Sequence, residues 1–207
     1  MVKIEHDISI ASELEDHPFK TAPMIADLAE VCSQIVNEKQ SFANIFGLSL
    51  EFKIEGDLAS SEKSLIDLKK SGIAKTALPP SPFDVIVDTR WFKILLQKLL
   101  DIAILLSHGQ PIHKIMVMPF KEREQIIIFI ITPYQKISER DKIDLFSEYF
   151  GKLGTSTNLS LGSGLEGFIA KIIYTHLNIP LEITTIGHPG NLAFKLYISK
   201  NPNIPSL

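Results

Sequence analysis

LSLGSGLEGFIAKIIYTHL, residues 159–177, joins a glycine-rich turn to an amphipathic helix. The turn is Gly162-Ser163-Gly164, and the residues after it recur at three- and four-residue spacing, which predicts one shared helix face. Glycines let a backbone come close to an anion, and the free N–H groups and dipole of a helix N-terminus attract that anion. The stretch is compatible with phosphate binding, but the signal is weak on its own, because glycine turns that merely start helices are common. The predicted face consists of Leu165, Phe168, Ile169, Ile172, Ile173 and His176.

The composition is that of a globular chain with one domain or at most two. Its 207 residues are 45% hydrophobic and 22% charged, which is too apolar for disorder. The formal net charge is -3 with no basic block, so a nucleic-acid partner is not expected. The sequence has no apolar run of membrane-spanning length and no signal core, and Cys32 has no second cysteine for a disulfide. These features predict a cytoplasmic protein with no membrane partner and a buried thiol.

The two ends and one internal segment lie outside the predicted regular core. Residues 1–20 are expected to form an N-terminal arm, and residues 200–207 a C-terminal tail that frays. Residues 57–82 break the hydrophobic rhythm and are interpreted as an inserted surface excursion. A helix is predicted over residues 21–46, capped by Thr21, with an apolar stripe along its length.

The rest of the chain alternates between strand and helix patterns. QIIIFIIT, residues 125–132, is apolar on both faces and is therefore expected in the centre of a sheet. The order of elements predicts an α/β two-layer sandwich, with a mixed, mostly antiparallel sheet and helices on one face. The remaining predictions are strands at 48–54, 83–87 and 113–120, a helix through Leu106 capped by Asp88 or Thr89, a helix from Ser138 to Gly151, and a closing pair of strands joined by the turn 187–190.

Four motifs in this order resemble the ATP-binding catalytic domain of sensor histidine kinases over residues 21–199. GSGLEGFIAK, residues 162–171, is similar to the family's second glycine box, G-x-G-L-G-L-x-I-A-K. FKILLQKLLDIAILLSHG aligns with the helix that carries the N box, LFSEYF is similar to the phenylalanine box, and the last two strands resemble the closing hairpin. The resemblance implies the Bergerat-type, histidine-kinase-like ATPase fold, ATP with magnesium as ligands, and a role in two-component signal transduction.

The N-box positions depart from the family pattern. Lys98 and Ile102 stand where the family has its two asparagines, while the packing alanine is kept as Ala103. An isoleucine has no lone pair, so it cannot bind the magnesium ion that the second asparagine would hold. Asp101 could approach the pocket from the same helix, although a solvent-exposed position is more usual for an aspartate.

The glycine boxes depart as well. Thr132 stands where the family has the aspartate that accepts the adenine amino group, and Tyr134 and Lys136 replace the two glycines that follow it. Glu166 replaces the third glycine of the second box and brings a negative charge close to the expected phosphate path. The residues Gly162–Gly164 keep that box's first part. The resemblance thus implies a degenerate nucleotide pocket lined by Lys98, Asp101, Ile102, Thr132, Tyr134, Lys136, Gly162, Ser163 and Gly164.

Histidine kinases carry a phosphoacceptor histidine on a long helical hairpin ahead of this domain, and residues 1–20 are too few to form one. His6-Asp7 resembles the start of that motif. We interpret the pair as part of a strand or arm with an exposed histidine, because no long helix pattern surrounds it. The sequence therefore predicts no phosphoacceptor in this chain.

The missing ligands predict weak nucleotide binding. A hydrogen bond to a charged group contributes about 1.5–3 kcal/mol, so losing several of them lowers affinity by several powers of ten. We therefore expect no catalytic residue, no bound metal and no cofactor. The expected function is that of a protein-binding module whose partner is a response regulator or a kinase, with homodimer formation through helix 21–46 as a further hypothesis. The alternative is a working ATP-dependent protein kinase with diverged boxes, either a histidine kinase fragment or an anti-sigma-type serine kinase.

Overall fold

The computed structural model describes residues 2–16, 21–54, 81–133, 138–147, 163–187 and 191–200. The helices in this part of the chain are α1 Val2–Asp16, α2 Leu28–Ile45, α3 Thr89–Ser107, α4 Glu139–Asp144 and α5 Glu166–His176. The strands are β1 Met24–Asp27, β2 Ser49–Phe52, β3 Asp84–Val87, β4 Lys114–Glu122, β5 Gln125–Thr132, β6 Leu181–Ile186 and β7 Asn191–Ser199. Almost all of the predicted excursion 57–82 lies outside the described residues.

The main sheet has five strands in the order β2-β4-β5-β7-β6. Strand β2 pairs with β4 in parallel, and the other neighbours pair antiparallel. Strand β5 lies in the middle, and its Ile126, Ile128 and Ile130 are fully buried. The prediction of a mixed, mostly antiparallel sheet with the QIIIFIIT strand at its centre is confirmed.

Helices α2 and α3 pack on this sheet, and α5 packs beside α3. Helix α3 is buried along most of its length, with Phe92, Leu95 and Leu99 fully buried. It begins where the sequence predicted, because the Asp88 carboxylate accepts hydrogen bonds from the backbone N–H groups of Arg90 at 3.1 Å and Trp91 at 3.2 Å. The predicted two-layer α/β sandwich is confirmed.

The helix predicted over residues 21–46 starts later than expected. Residues 24–27 form β1, which pairs antiparallel with β3 in a separate two-stranded sheet. The N-cap is Asp27 instead of Thr21, since its carboxylate accepts from the backbone N–H of Ala29 at 2.8 Å and Glu30 at 3.3 Å. The apolar residues of β1 continue the spacing of the helix, so periodicity alone did not mark the boundary.

The apolar stripe of α2 faces the protein's own core. Val31, Ile35 and Val36 are buried against the rest of the domain. Cys32 is 1% exposed, as predicted, and burial raises the pKa of its thiol, with a smaller contribution from Asp27. This stripe therefore lends no support to a homodimer formed through helix 21–46.

The N-terminal segment is a helix where the sequence favoured a strand or extended arm. Helix α1 packs against α5 and buries Asp7, Ile10 and Leu14, while His6 is exposed as expected. The buried residues are three, four and seven positions apart, which is helical spacing. The pattern is short and includes a charged residue on the buried face, and for that reason hydrophobicity did not show it.

Helix α4 is shorter than predicted. It opens with the predicted capping box of Ser138 and Asp141, but it ends at Asp144, whereas the sequence suggested Gly151. The backbone then turns at Leu145, whose carbonyl oxygen lies 1.7 Å from the position that a Cβ on Gly167 would occupy. Helix α5 thus packs closely against this turn at Gly167, because glycine has no side chain.

Candidate functional site

A buried polar cluster made by α1, α3 and the start of α5 includes two residues that were predicted to line the pocket, Lys98 and Ser163. We define this buried polar cluster as Asp7, Lys98, Ser163 and Glu166, whose exposed fractions are 0%, 4%, 2% and 4%. The Asp7 carboxylate accepts hydrogen bonds from Lys98 Nζ and, at 2.7 Å, from Ser163 Oγ. One carboxylate of the N-terminal helix therefore joins an N-box position to a glycine-box position.

The turn before α5 binds a carboxylate of its own chain. Glu166 accepts a hydrogen bond from the backbone N–H of Ser163 at 2.9 Å and another from that of Gly164 at 3.0 Å. Gly164 has φ +77°, a left-handed conformation that glycine adopts easily. Consecutive N–H groups that converge in this way form an anion-binding concavity. The donors that the sequence assigned to phosphate thus bind the side chain that replaces the family's third glycine.

Ser163 connects the two carboxylates. Its hydroxyl donates to Asp7 and accepts from the backbone N–H of Leu165 at 3.1 Å, while its own N–H donates to Glu166. Two carboxylates, one ammonium group and the N-terminus of α5 therefore share a buried volume. The local formal charge of the cluster is -1, and the positive end of the α5 dipole partly offsets it.

Helix α3 positions the N-box residues. Lys98 is on the face toward α1, and Ile102, one helical turn further on, is 5% exposed and part of the hydrophobic core. Asp101 is fully buried, which corrects the expectation that it lies at the surface. Its carboxylate accepts from Lys39 Nζ of α2 at 2.7 Å, so it belongs to the α2–α3 contact and not to the cluster.

Thr132, at the position of the family's adenine-binding aspartate, is also engaged elsewhere. It is 0% exposed, and its hydroxyl lies 2.6 Å from Ser107 Oγ at the end of α3. Ser107 follows Lys98 by nine residues, about 13 Å along a helix axis at 1.5 Å per residue. Thr132 is therefore distant from the cluster. Tyr134, Lys136 and Gly162 lie outside the described residues, and their predicted roles stay predictions.

Sequence reasoning identified Lys98, Ser163 and Glu166 at the pocket and missed Asp7. The signal that could have found it is the spacing of Asp7, Ile10 and Leu14, which places a carboxylate on an apolar helix face. A carboxylate at such a position needs a buried cation, and Lys98 is a lysine inside the apolar run of α3. The helical spacing around Asp7 would thus have indicated a buried carboxylate, and the lysine inside the apolar run of α3 would have indicated its cation.

Two features of metal-binding and membrane proteins are absent from the residues that the structure describes. In that part of the chain, no cluster of three or more histidine, cysteine, aspartate or glutamate side chains has the arrangement of a metal site. The described helices also include none with the length and hydropathy needed to cross a bilayer.

Comparison with known proteins places the fold. No protein-family model matches the sequence, and no curated protein matches it significantly. Solved structures do match: the Acinetobacter baumannii histidine kinase AdeS has a TM-score of 0.62 at 18% identity, over 95% of this chain and 77% of that one. The catalytic domain of histidine kinase ThkA has a TM-score of 0.59 at 16% identity, over 87% and 97% of the two chains.

A third match is the mycobacterial sensor histidine kinase MprB, with a TM-score of 0.58 at 17% identity over 87% of this chain and 99% of that one. The chain has the fold of the histidine kinase catalytic domain, which is the histidine-kinase-like ATPase fold. The predicted resemblance is thereby confirmed for the fold.

Proposed function

We propose that this protein is a degenerate member of the histidine-kinase-like ATPase fold, without kinase activity, that works as a protein-binding module in two-component-type signalling in the cytoplasm. The observation that supports this most directly is the Glu166 carboxylate on the N–H groups of Ser163 and Gly164. A triphosphate entering there would have to displace that carboxylate and would then meet Asp7 as a second negative charge.

The position for the metal supports the same proposal. Ile102 offers no oxygen to a hard cation, and it is packed into the core. Lys98, the other N-box residue, is paired with Asp7. Without magnesium to neutralise the phosphates, binding would depend on the polypeptide alone, whose local charge is unfavourable.

Calorimetry with a non-hydrolysable ATP analogue, with and without magnesium, tests the loss of nucleotide binding. We expect no heat of binding at millimolar analogue in either condition. Magnesium-dependent binding would overturn the proposal and favour the alternative of a working ATP-dependent kinase. The double substitution Ile102→Asn with Thr132→Asp should not restore binding, because it leaves Glu166 and Asp7 in place.

A triple change with Glu166→Gly added gives the matched comparison. It returns the third glycine and vacates the N–H groups of Ser163 and Gly164. Partial recovery of analogue binding in this variant alone would assign the block to Glu166. The binding role is tested separately by passing purified response regulators and kinases of the host over the immobilised chain, with the expectation that one of them is retained without nucleotide.

A further inference from the structure

Helix α1 has 15 residues, and the structure describes the side chains of residues 5–14. Among the α1 side chains that the structure describes, Ile10 at 6% exposure and Leu14 at 8% are the buried aliphatic ones. Burial of such side chains stabilises the docked helix, and the ordering of the helix opposes that gain. In the described part of α1, apolar packing comes from these two side chains and the partly buried Ala11.

The polar part of the contact is specific. Asp7 has both carboxylate oxygens engaged inside the protein, one by Lys98 and one by Ser163. The other described ion pair of α1, Glu13 with Arg90 at 2.9 Å, is at the surface. An exposed pair contributes little, whereas a buried charge that loses its partner is strongly unfavourable. Among the described residues of α1, the buried ones are thus this acid and the two aliphatic residues.

We propose that the surface under α1 is a helix-binding groove, in which α1 competes with an acidic amphipathic helix of a partner protein. The groove recognises a carboxylate through Lys98 and Ser163, followed by aliphatic side chains three and seven residues later. The occupant's chemistry is argued from α1 itself, which fills the groove with that pattern. This inference rests on the proposed binding role and names its surface and its class of partner.

Release of α1 should make the groove available. In wild type, a competing helix meets only the fraction of molecules whose own α1 has left. If α1 is docked in about nine molecules of ten, releasing it raises the apparent affinity of the groove for the competing helix about tenfold. Asp7→Asn keeps the shape of the side chain and removes its charge, so it weakens α1 at the groove and leaves Lys98 and Ser163 intact.

The test uses the full chain and a fluorescent peptide with the sequence of residues 2–16. Hydrogen exchange should show that Asp7→Asn removes protection from α1 amides while α3 and α5 stay protected. Fluorescence anisotropy should show the peptide binding the Asp7→Asn chain about tenfold more tightly than wild type. A peptide carrying Asp7→Asn should bind at least tenfold more weakly, and a chain with Lys98→Met added should bind neither.

Glu13→Gln is the matched control, because it changes an α1 acid that is bonded at the surface, and it should leave α1 docked. The inference is overturned if Asp7→Asn leaves α1 protected, if α1 and α3 lose protection together, or if the peptide fails to bind or ignores its own Asp7. Leu14→Ala gives a second route to a released α1 should the Asp7→Asn chain not fold. The result of the nucleotide calorimetry does not depend on these measurements. Failure of the helix-binding groove can therefore be told apart from failure of the proposed loss of nucleotide binding.

Discussion

Two contacts of α3 each contain a buried lysine–carboxylate pair, and they differ in the apolar surface around that pair. Between α2 and α3, Lys39 binds Asp101 at the edge of a continuous apolar face that includes Val31 and Ile35. Between α1 and α3, Lys98 binds Asp7. There, two buried aliphatic side chains accompany the pair among the α1 residues whose side chains the structure describes.

The difference shows that the same ion pair has different consequences in different surroundings. In the α2–α3 contact, the apolar surface holds both helices in place, so a carboxylate that loses its lysine stays buried. In the α1–α3 contact, the helix can leave and take its carboxylate into water. Breaking the first pair should destabilise the whole domain, while breaking the second should release one helix.

Lys39→Ala has the largest expected effect. It leaves the fully buried Asp101 without its lysine, and we expect a loss of about 3 kcal/mol in the free energy of unfolding, at the low end for buried pairs because Lys39 is partly exposed. Urea denaturation measures it. Lys93→Ala is the control, since Lys93 bonds Gln34 between the same helices but at the surface. Equal stabilities for the two variants, or selective loss of α1 protection in Lys39→Ala, would break the comparison.

Gly167→Ala comes next and tests whether α5 belongs to the rigid part of the domain. A Cβ at this position would lie 1.7 Å from the Leu145 carbonyl oxygen, so backbone must shift. We expect a loss of about 2 kcal/mol in unfolding free energy, the usual size for overpacking. Gly109→Asn is the control, because that site has open space and φ +76°, which asparagine tolerates. Wild-type stability of Gly167→Ala would mean that α5 is free to move, with the cluster it carries.

The fold was largely readable from the sequence because its signals are repetitive. The apolar spacing of α3, the double-sided apolar strand β5 and the capping residues Asp88 and Ser138 each specify local structure without information from elsewhere in the chain. The boundary between β1 and α2 was not readable, because tertiary pairing of β1 with β3 decides it.

The site was only half readable for a related reason. Glu166 is adjacent to the N–H groups that it binds, so its charge could be placed from local sequence. Asp7 precedes Ser163 by 156 residues, and no local rule links such positions. Asp101 was misplaced because its partner, Lys39, is on a different helix. Contacts between distant parts of the chain are set by packing, which a single sequence does not display.

Thr132→Val changes a buried hydrogen-bonded pair without charge, Thr132 with Ser107, and so tests whether charge distinguishes the two lysine–carboxylate contacts. Ser107 Oγ donates to the Ala103 carbonyl at 2.7 Å, so Thr132 donates to Ser107. Valine keeps the shape and removes the hydrogen bond to Ser107, and we expect a loss of about 1 kcal/mol in unfolding free energy. Thr175→Val, at an exposed site, should be nearly silent in the same denaturation experiment. A loss as large as that of Lys39→Ala would show that charge is not what separates these contacts.

The hydrogen bond between Tyr197 and Glu182 is at the surface, and breaking it has the smallest expected effect of these changes. The phenol donates to the Glu182 carboxylate at 2.6 Å, and this bond raises the pKa of Tyr197 from 10.0 to about 12. A raised folded-state pKa means that the bond's stabilisation is present below pH 10 and is lost as pH rises toward 12. Burial also raises the pKa of Tyr174, so ultraviolet titration of the four tyrosines should include a late phase from Tyr197 that Glu182→Gln moves to lower pH. Glu51→Gln, which changes a carboxylate paired with Lys114, should leave that phase in place. A late phase unaffected by Glu182→Gln would mean that water, and not this carboxylate, is the partner of the phenol.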